Sequence, residues 1–336
     1  MLDNNDIEEV ESLEVKDVFL SKLYNREYKE LFLKEYLEKD STRESYTIYL
    51  MLIAETERML GKDLFLFSAQ DIINYFANAY TTSHTALRSA FSIFKNYVNW
   101  GVGRGFNNAT GVNPFSTISF KKDILPLLNV KNMKSRFITE EQMWDIENLV
   151  VNYQDYVCLV LPFYLAKGEK CKELVNLTDS RVNGITNTLT LIDNSGEVRE
   201  MVISQRVMEV VVKAGGEDVY RRESSDEKEG SIADLQESEY IIRSTRRSDS
   251  GSANAQAISA RCKRLLIEAG YEDMSIQDVK MSGKLALLKR MEIENGGTLV
   301  VEDFQEVNRL AGDNDKNYNN LRETYNLYET AITKVD

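Results

Sequence analysis

The segment Thr188-Leu-Thr-Leu-Ile192, Asp193-Asn-Ser-Gly196 and Val198-Arg-Glu-Met-Val-Ile203 consists of two alternating runs around a turn that contains glycine. Because side chains along a strand point to opposite faces in turn, this pattern predicts a β-hairpin. The chain on either side of it carries apolar residues mostly at helical spacing. The sequence therefore predicts a mainly α-helical protein with a small antiparallel β-sheet.

Three helices are predicted in the N-terminal part of the chain. Ser41-Thr-Arg-Glu44 has the form of a capping box, and Gly61 is placed to end the helix that follows. Ser68 is expected to cap the second helix, and Thr82 or Ser83 the third. An aromatic stripe on the third helix is expected to lie in the core: Phe91, Phe94, Tyr97 and Trp100.

A second domain is predicted to open at the capping box Thr139-Glu-Glu-Gln142. Residues 156–165 are nearly all apolar and predict a buried helix, and further helices are expected over 253–269 and 275–295. The polar, acidic stretch 216–239 is expected to be a mobile loop or an insertion.

These patterns divide the chain into four parts. We expect an acidic tail over 1–20, a helical domain over 21–106, a basic and extended linker over 107–136 that holds Asn113-Pro114, and an α-rich domain over 137–336.

Charge is distributed unevenly along the chain. The net charge is −13, which taken alone argues against a nucleic-acid partner. Between residues 80 and 136, however, eight basic residues stand against one acidic residue, and a second basic stretch spans 241–264. Such local positive stretches are typical of nucleic-acid contacts, although solvated helix faces can also carry them.

Composition excludes several classes of protein. No apolar run is long enough to span a membrane, and the acidic N-terminus does not resemble a signal peptide. Three scattered cysteines form neither a disulfide framework nor a zinc pattern, which favours a reducing cytoplasm. We expect no cofactor, no metal and no membrane partner.

Several motifs carry a resemblance to the tyrosine recombinase (phage integrase) family from about residue 18 to 330. Gly61-Lys-Asp-Leu64 resembles the family's N-terminal core-binding (SAM-like) domain, and Phe137-Ile-Thr-Glu-Glu141 the opening of its catalytic domain. Gly168-Glu-Lys-Cys-Lys-Glu-Leu174 is similar to the family's Thr-Gly-Leu-Arg-x-x-Glu-Leu box. The resemblance implies a two-domain architecture, a helical core-binding domain followed by an α-rich catalytic-type domain with the small sheet.

Carried over position by position, the family's chemistry is incomplete. A tyrosine should attack the phosphate, two arginines should hold its oxygens, and a lysine and histidines should move protons. The resemblance places six degenerate positions: Lys170 for an arginine, Glu173 for the box glutamate, Gln277, Lys280 and Met281 for the His-x-x-Arg-His box, and Gly312 for a late histidine or tryptophan. The hairpin lysine falls near Asn194 or Ser195, and Tyr318 and Tyr325 flank the expected tyrosine.

One observation requires no alignment. The chain contains a single histidine, His84, and it lies in the N-terminal helical block, far along the chain from the catalytic-type motifs. We therefore expect no catalytic residue and no enzymatic cutting of DNA.

We expect the remaining charge to hold the DNA backbone. The predicted DNA-binding residues are Arg43, Thr82, Ser83, His84, Arg88, Lys95, Arg104, Lys121, Lys122, Lys134, Arg136, Lys170, Arg243, Arg246, Arg247, Arg261, Lys263, Lys280 and Lys284.

The sequence thus favours a non-catalytic, sequence-specific binder of double-stranded DNA operators, a phage or prophage transcriptional repressor that maintains lysogeny. Two alternatives stay open: a divergent active recombinase that uses Tyr318 or Tyr325, and a protein-interaction module on a vestigial scaffold. Self-association through the terminal helix, about residues 319–333, and a phage-encoded antirepressor or signal are further partners to consider.

Overall fold

The computed structural model describes residues 20–78, 84–106, 111–127, 135–193, 195–221, 232–245 and 251–333. The protein is mainly helical with small antiparallel sheets, which confirms the predicted fold class. The chain divides into two compact units between residues 130 and 131. Among the described helices, none has the length and apolar character needed to cross a lipid bilayer.

The described part of the first unit includes four α-helices: α1 (Arg26–Tyr36), α2 (Asp40–Leu60), α3 (Ala69–Asn78) and α4 (His84–Gly103). Gly61 ends α2 as predicted, in a left-handed conformation that glycine adopts without strain. The helix starts one residue earlier than predicted, at Asp40, so the expected capping box at Ser41 does not form. On α4, Phe91, Phe94 and Tyr97 are buried in the core as predicted, whereas Trp100 is half-buried.

Part of the predicted extended linker is folded. Short helical turns cover Pro114–Ser116, Phe120–Ile124 and Leu125–Leu127. The Asn113 side chain accepts a hydrogen bond from the Phe115 amide and so stabilises the first turn. Phe115 and Ile124 are buried, and the ring of Phe115 packs edge-on against Phe91 of α4. The expectation of an extended connection is therefore wrong for these residues, because their apolar side chains complete the core of the first unit.

The second unit contains eight α-helices among its described residues, and they pack around two apolar clusters. The helices are α5 (Glu140–Asp145), α6 (Tyr153–Phe163), α7 (Lys172–Val175), α8 (Gln205–Gly215), α9 (Ala255–Glu268), α10 (Ile276–Glu294), α11 (Val301–Leu310) and α12 (Tyr318–Thr333). The larger cluster spans α5 to the start of α10, and the smaller one joins the rest of α10 to α11 and α12 through Leu285, Leu288, Phe304, Val307, Leu321 and Tyr325. The predicted capping box at Thr139 and Gln142 is present at the start of α5. The apolar helix α6 is almost entirely buried, as predicted, although it starts three residues earlier.

The predicted hairpin forms the main sheet. Strands β1 (Val182–Asn183), β2 (Thr188–Ile192) and β3 (Val198–Val202) are antiparallel in the order β1-β2-β3. The register pairs Thr188 with Val202 and Ile192 with Val198. The acidic stretch 216–239, expected to be a mobile loop or an insertion, contains two paired strands, β4 (Val219–Arg221) and β5 (Ile232–Asp234), while residues 222–231 lie outside the described structure.

A close contact between backbones fixes the centre of the second unit. A Cβ atom added at Gly283 of α10 would lie 1.7 Å from the carbonyl oxygen of Phe163, at the end of α6. Any side chain there would therefore push the two elements apart. This contact brings α10 against the loop that follows α6.

The first unit contains a buried ionic cluster. Lys29 Nζ lies 2.8 Å from Glu57 Oε1 and 3.3 Å from Asp63 Oδ2, and all three side chains are almost completely buried. Tyr97 Oη donates to Asp63, and the Leu64 amide donates to Glu57. One lysine cannot neutralise two carboxylates. Burial raises the pKa of Glu57 to about 7, with the charge of Lys29 opposing and that of Asp63 reinforcing the shift.

Replacing Glu57 by glutamine is expected to flatten the dependence of stability on pH. The folded-state pKa near 7 lies above the ordinary value of 4.5, so folding takes up a proton between them. This contribution to the free energy of unfolding is complete below pH 4.5 and is lost as the pH rises through 7, on the order of 3 kcal/mol in total. Urea unfolding at pH 5 and pH 8 measures it. Glu55→Gln, on an exposed residue of the same helix, is the control; equal pH dependence in wild type and Glu57→Gln would contradict the prediction.

Candidate nucleic-acid interface

A buried pair between Glu173 and Arg199 joins the sheet to the loop after α6. Glu173 is the second residue of α7, and it is only 2% exposed. Arg199 Nε lies 2.6 Å from Glu173 Oε1, and Arg199 Nη2 lies 2.8 Å from Oε2. The same guanidinium donates to the carbonyls of Leu165 and Leu310. A planar group with five donors can hold a carboxylate and two carbonyls at once, which a lysine cannot do.

The backbone around this pair adopts unusual conformations. Leu165, Lys170 and Cys171 have positive φ values of 70°, 48° and 59°. Gly168 is also at positive φ, and a Cβ there would lie 2.8 Å from the Glu173 Cγ atom. The Lys167 amide donates to Glu173 Oε2 at 2.8 Å. The Glu173 carboxylate therefore stabilises the strained loop of residues 165–171.

Sequence reasoning missed Arg199, although a signal was present. Arg199 pairs with Leu191, and the burial of Leu189 and Leu191 identifies the inward face of the sheet. Because Arg199 lies across from Leu191, its side chain points to this inward face, and a charge there requires a partner of opposite charge. The family's hairpin lysine was instead placed at the turn, where Asn194 lies outside the described residues and Ser195 donates to the Asp193 carboxylate.

A lysine cluster lies beside this pair, and we define it as Lys167, Lys280 and Lys284. All three side chains are buried, and Lys280 and Lys284 lie one turn apart on α10. Asp313 bridges the last two: Lys280 Nζ is 2.9 Å from Oδ1, and Lys284 Nζ is 2.5 Å from Oδ2. Lys284 also donates to Asn308 Oδ1 at 2.8 Å. Three ammonium groups against one carboxylate leave excess positive charge.

The pKa shifts reflect this excess charge. Burial, together with the charge of Lys280, lowers the pKa of Lys167, and burial is also the main cause of the lowered pKa of Lys284. Burial alone would raise the pKa of Asp313, but the charges of Lys280 and Lys284 and their hydrogen bonds outweigh it, so that pKa is lowered. Asp313 therefore stays ionised, and an additional anion near the cluster would be electrostatically favoured.

The other degenerate positions surround the cluster unevenly. Lys170, predicted at the first arginine position, is exposed. Gln277 is exposed on the first turn of α10, while Met281 packs against an apolar cluster. Gly312 lies next to Glu173 and Arg199, because a Cβ at Gly312 would be 3.5 Å from Glu173 Oε1.

Both tyrosine candidates take part in packing. Tyr325 is 3% exposed and lies against Phe304, and its Oη donates to Glu292 Oε2 at 2.9 Å. Burial and this hydrogen bond raise the pKa of Tyr325 far above its ordinary range. Tyr318 is partly buried against the same apolar cluster. The phenol of Tyr325 is therefore held in its protonated form.

Two arginines predicted to contact DNA lie in the interior, contrary to that expectation. Arg243 donates to the carbonyls of Gly215 and Glu217, and Arg261 donates to Gln154 Oε1 and to the carbonyl of Arg243. The reason is structural: carbonyls at the end of α8 and in the irregular chain between β5 and α9 need donors, and these guanidinium groups supply them. Lys263 likewise donates to the carbonyls of Glu272 and Met274.

The predicted residues of the first unit differ in exposure. Arg43 donates to the Leu37 carbonyl ahead of α2, and Arg104 pairs with Glu35 and lies over the Trp100 ring. Arg136, at the start of the second unit, is half-buried. Five predicted bases of the first unit are exposed: Arg88, Lys95, Arg104, Lys121 and Lys122. Outside the described residues lie Thr82, Ser83, Lys134, Arg246, Arg247 and the side chain of His84.

Known families identify both units. The sequence model of the family described as "MrpR, N-terminal core-binding domain" matches residues 23–103, and that of "MrpR, C-terminal catalytic domain" matches residues 137–334. The chain belongs to the MrpR family. A relative of this MrpR chain is the SPbeta prophage-derived uncharacterized protein YopR of Bacillus subtilis (strain 168), 25% identical over 244 residues, which cover 69% of this chain and 71% of the relative. The predicted resemblance to tyrosine recombinases is confirmed.

Solved structures similar to this MrpR chain include integrases. A lambda integrase dimer bound to a COC′ core site is 13% identical, with a TM-score of 0.47, covering 88% of this chain and 93% of that one. The Tn1549 transposon integrase in complex with circular intermediate DNA is 13% identical, with a TM-score of 0.48, covering 92% of this chain and 97% of that one.

Replacing Arg199 by methionine is expected to destabilise this MrpR chain strongly. The substitution keeps much of the side-chain volume but leaves the buried carboxylate of Glu173 without its cation, which costs on the order of 3 kcal/mol. Chemical unfolding measures the loss. The control is Arg309→Met, which removes an exposed pair with Glu306 and should change stability by less than about 0.5 kcal/mol. Similar effects of the two substitutions would show that Arg199 does not hold the unit together.

Proposed function

We propose that this protein is a prophage-derived repressor that binds double-stranded DNA without cutting it. The single observation that carries the proposal is the lysine cluster. Its buried ammonium groups outnumber the carboxylates they meet, and two of the three, Lys280 and Lys284, are among the residues expected from the sequence to contact DNA.

The chemistry of the cluster supports a phosphate partner. Lysine binds phosphate as a point charge, so it retains affinity for the backbone where an arginine has been replaced. Lys170 adds an exposed positive charge on the loop that Glu173 closes. The first unit separately carries exposed bases among the predicted DNA contacts, including Arg88, Lys95, Lys121 and Lys122. Backbone contacts of this kind provide affinity, and contacts to base edges provide specificity.

The surroundings of the tyrosines favour binding over cutting. Nucleophilic attack on a phosphate requires a phenol that is exposed and able to lose its proton. Tyr325 is buried and bound to Glu292, which disfavours the phenolate. The single histidine of the chain, His84, lies in the first unit, so the second unit holds no imidazole to move protons. Without bidentate arginines, a charged transition state also loses donors that are each typically worth about 10²- to 10³-fold in rate.

The repressor role follows from DNA binding without cleavage. A protein that occupies a promoter excludes polymerase without further chemistry. The similarity to a prophage-derived protein supports a role in maintaining a prophage in its host, on DNA in the bacterial cytoplasm.

Binding to a tiled library of prophage DNA, measured at two salt concentrations, tests the proposal. Nicked substrates analysed on denaturing gels report covalent adducts in parallel. We expect tight, salt-sensitive binding to a few sites and no adduct. An adduct lost on Tyr318→Phe or Tyr325→Phe would instead establish a recombinase, and a folded protein without affinity for DNA would favour an interaction module.

Replacing Lys170 by alanine is expected to weaken binding and to make its salt dependence shallower. Each lost phosphate contact reduces the slope of log K against log salt by about one unit. Filter binding at four or more salt concentrations measures the slope. The control is Lys172→Ala, which removes the same charge two residues away. Lys172 is half-buried at the start of α7, whereas Lys170 is exposed. Equal slopes for wild type and Lys170→Ala would show that Lys170 does not contact phosphate.

A further inference from the structure

Asp313 occupies the lysine pair in a way that resembles a bound phosphate. Each of its two oxygens meets a different ammonium group, Oδ1 that of Lys280 and Oδ2 that of Lys284. A phosphodiester also presents two non-bridging oxygens from one centre. The carboxylate therefore satisfies the same donors that a backbone phosphate would use.

Exposure shows how DNA would have to approach. The side chains of Lys280 and Lys284 are each 7% exposed, whereas that of Asp313 is 42% exposed. The carboxylate thus lies on the solvent side of the pair. A phosphate that approaches from solvent meets the negative charge of Asp313 before it reaches either lysine.

The local backbone allows Asp313 to change position. It follows Gly312, which has a φ of +64°, and precedes the short turn Asp315–Asn317. The Asp313 amide donates to the Asn308 carbonyl, so the backbone is anchored while the side chain extends from the end of α11. A rotation of the side chain alone would release both ammonium groups.

We propose that Asp313 is an internal counter-anion that competes with a DNA phosphate for Lys280 and Lys284. This inference rests on the proposed DNA-binding function and adds a regulatory element to the same site. In the absence of DNA, the carboxylate compensates one of the two positive charges of the lysine pair and keeps both ammonium groups ordered. DNA binding requires the phosphate to displace this carboxylate, so Asp313 lowers affinity for DNA in general and favours sites at which the phosphate is held by additional contacts.

The test compares DNA affinity among variants of the full chain. Asp313→Asn removes the competing charge and should tighten binding by about tenfold at low salt, with a slope of log K against log salt steeper by about one unit. Asp313→Glu keeps the charge and should stay closer to wild type. Asp315→Asn removes the same charge two residues away, where it does not bridge the lysines, and is the matched control.

A second variant works in the opposite direction. Asn308 accepts from Lys284, so Asn308→Asp keeps that hydrogen bond and adds a second anion to the pair. It should weaken DNA binding and make the salt slope shallower. Thermal unfolding of each variant, without DNA, verifies that it is folded.

The possible results separate the two claims. Tighter binding by Asp313→Asn together with weaker binding by Asn308→Asp supports competition. Weaker DNA binding by a folded Asp313→Asn would mean that Asp313 positions the lysines and does not compete with phosphate. Equal effects of Asp313→Asn and Asp315→Asn would mean that only the net charge of the protein matters. Either result overturns the inference. If Asp313→Asn does not fold, unchanged binding by Asn308→Asp overturns it. Folded wild-type protein without affinity for DNA would instead refute the proposed function itself.

Discussion

The second unit depends on the buried contact between Arg199 and Glu173. One guanidinium holds a carboxylate of α7, the carbonyl of Leu165 after α6 and the carbonyl of Leu310 at the end of α11. The sheet, the strained loop and the C-terminal helices therefore share one charged centre. Because an unpaired buried charge is far more costly than a lost surface pair, these elements must fold together.

This arrangement bears on the proposed binding of DNA without cleavage. The loop and α11, which Arg199 connects, border the lysine cluster, and Gly312 next to Asp313 approaches the same guanidinium. The arginine at this centre is used to build the unit. The lysines beside it keep an excess of positive charge over the Asp313 carboxylate, but they lack the forked geometry that stabilises a pentacovalent phosphate. Together with Tyr325, which is fixed against Glu292, this lack supports the proposal that the unit holds a DNA backbone without breaking it.

Local patterns were sufficient to predict much of the fold. The alternation in residues 188–203 identified the hairpin and its turn, and the capping box at Thr139 identified the start of α5, because both depend on neighbours within a few residues. The buried helix α6 followed from its apolar composition. The helical turns over 114–127 were missed because their stability comes from distant contacts such as that of Phe115 with Phe91.

The candidate site could be predicted only in part, for the same reason. Motif spacing brought Lys170, Glu173 and Lys280 into consideration, but the partners of these residues are remote in sequence. Asp313 is 33 residues from Lys280, and Arg199 is 26 residues from Glu173. Arg243 and Arg261 were expected at a DNA surface because charge usually marks exposure. They lie inside because the neighbouring chain presents carbonyls to which their guanidinium groups donate.

The most direct test of the account is a scan of a bound DNA site with single methylphosphonate substitutions, each of which neutralises one backbone phosphate. The scan is performed with wild type and with Lys280→Met. The account predicts a position whose neutralisation weakens binding by the wild type but has little further effect on the variant, which would show that the lysine cluster holds that phosphate. If every substitution weakens both proteins equally, the cluster does not contact DNA, and the central claim is contradicted.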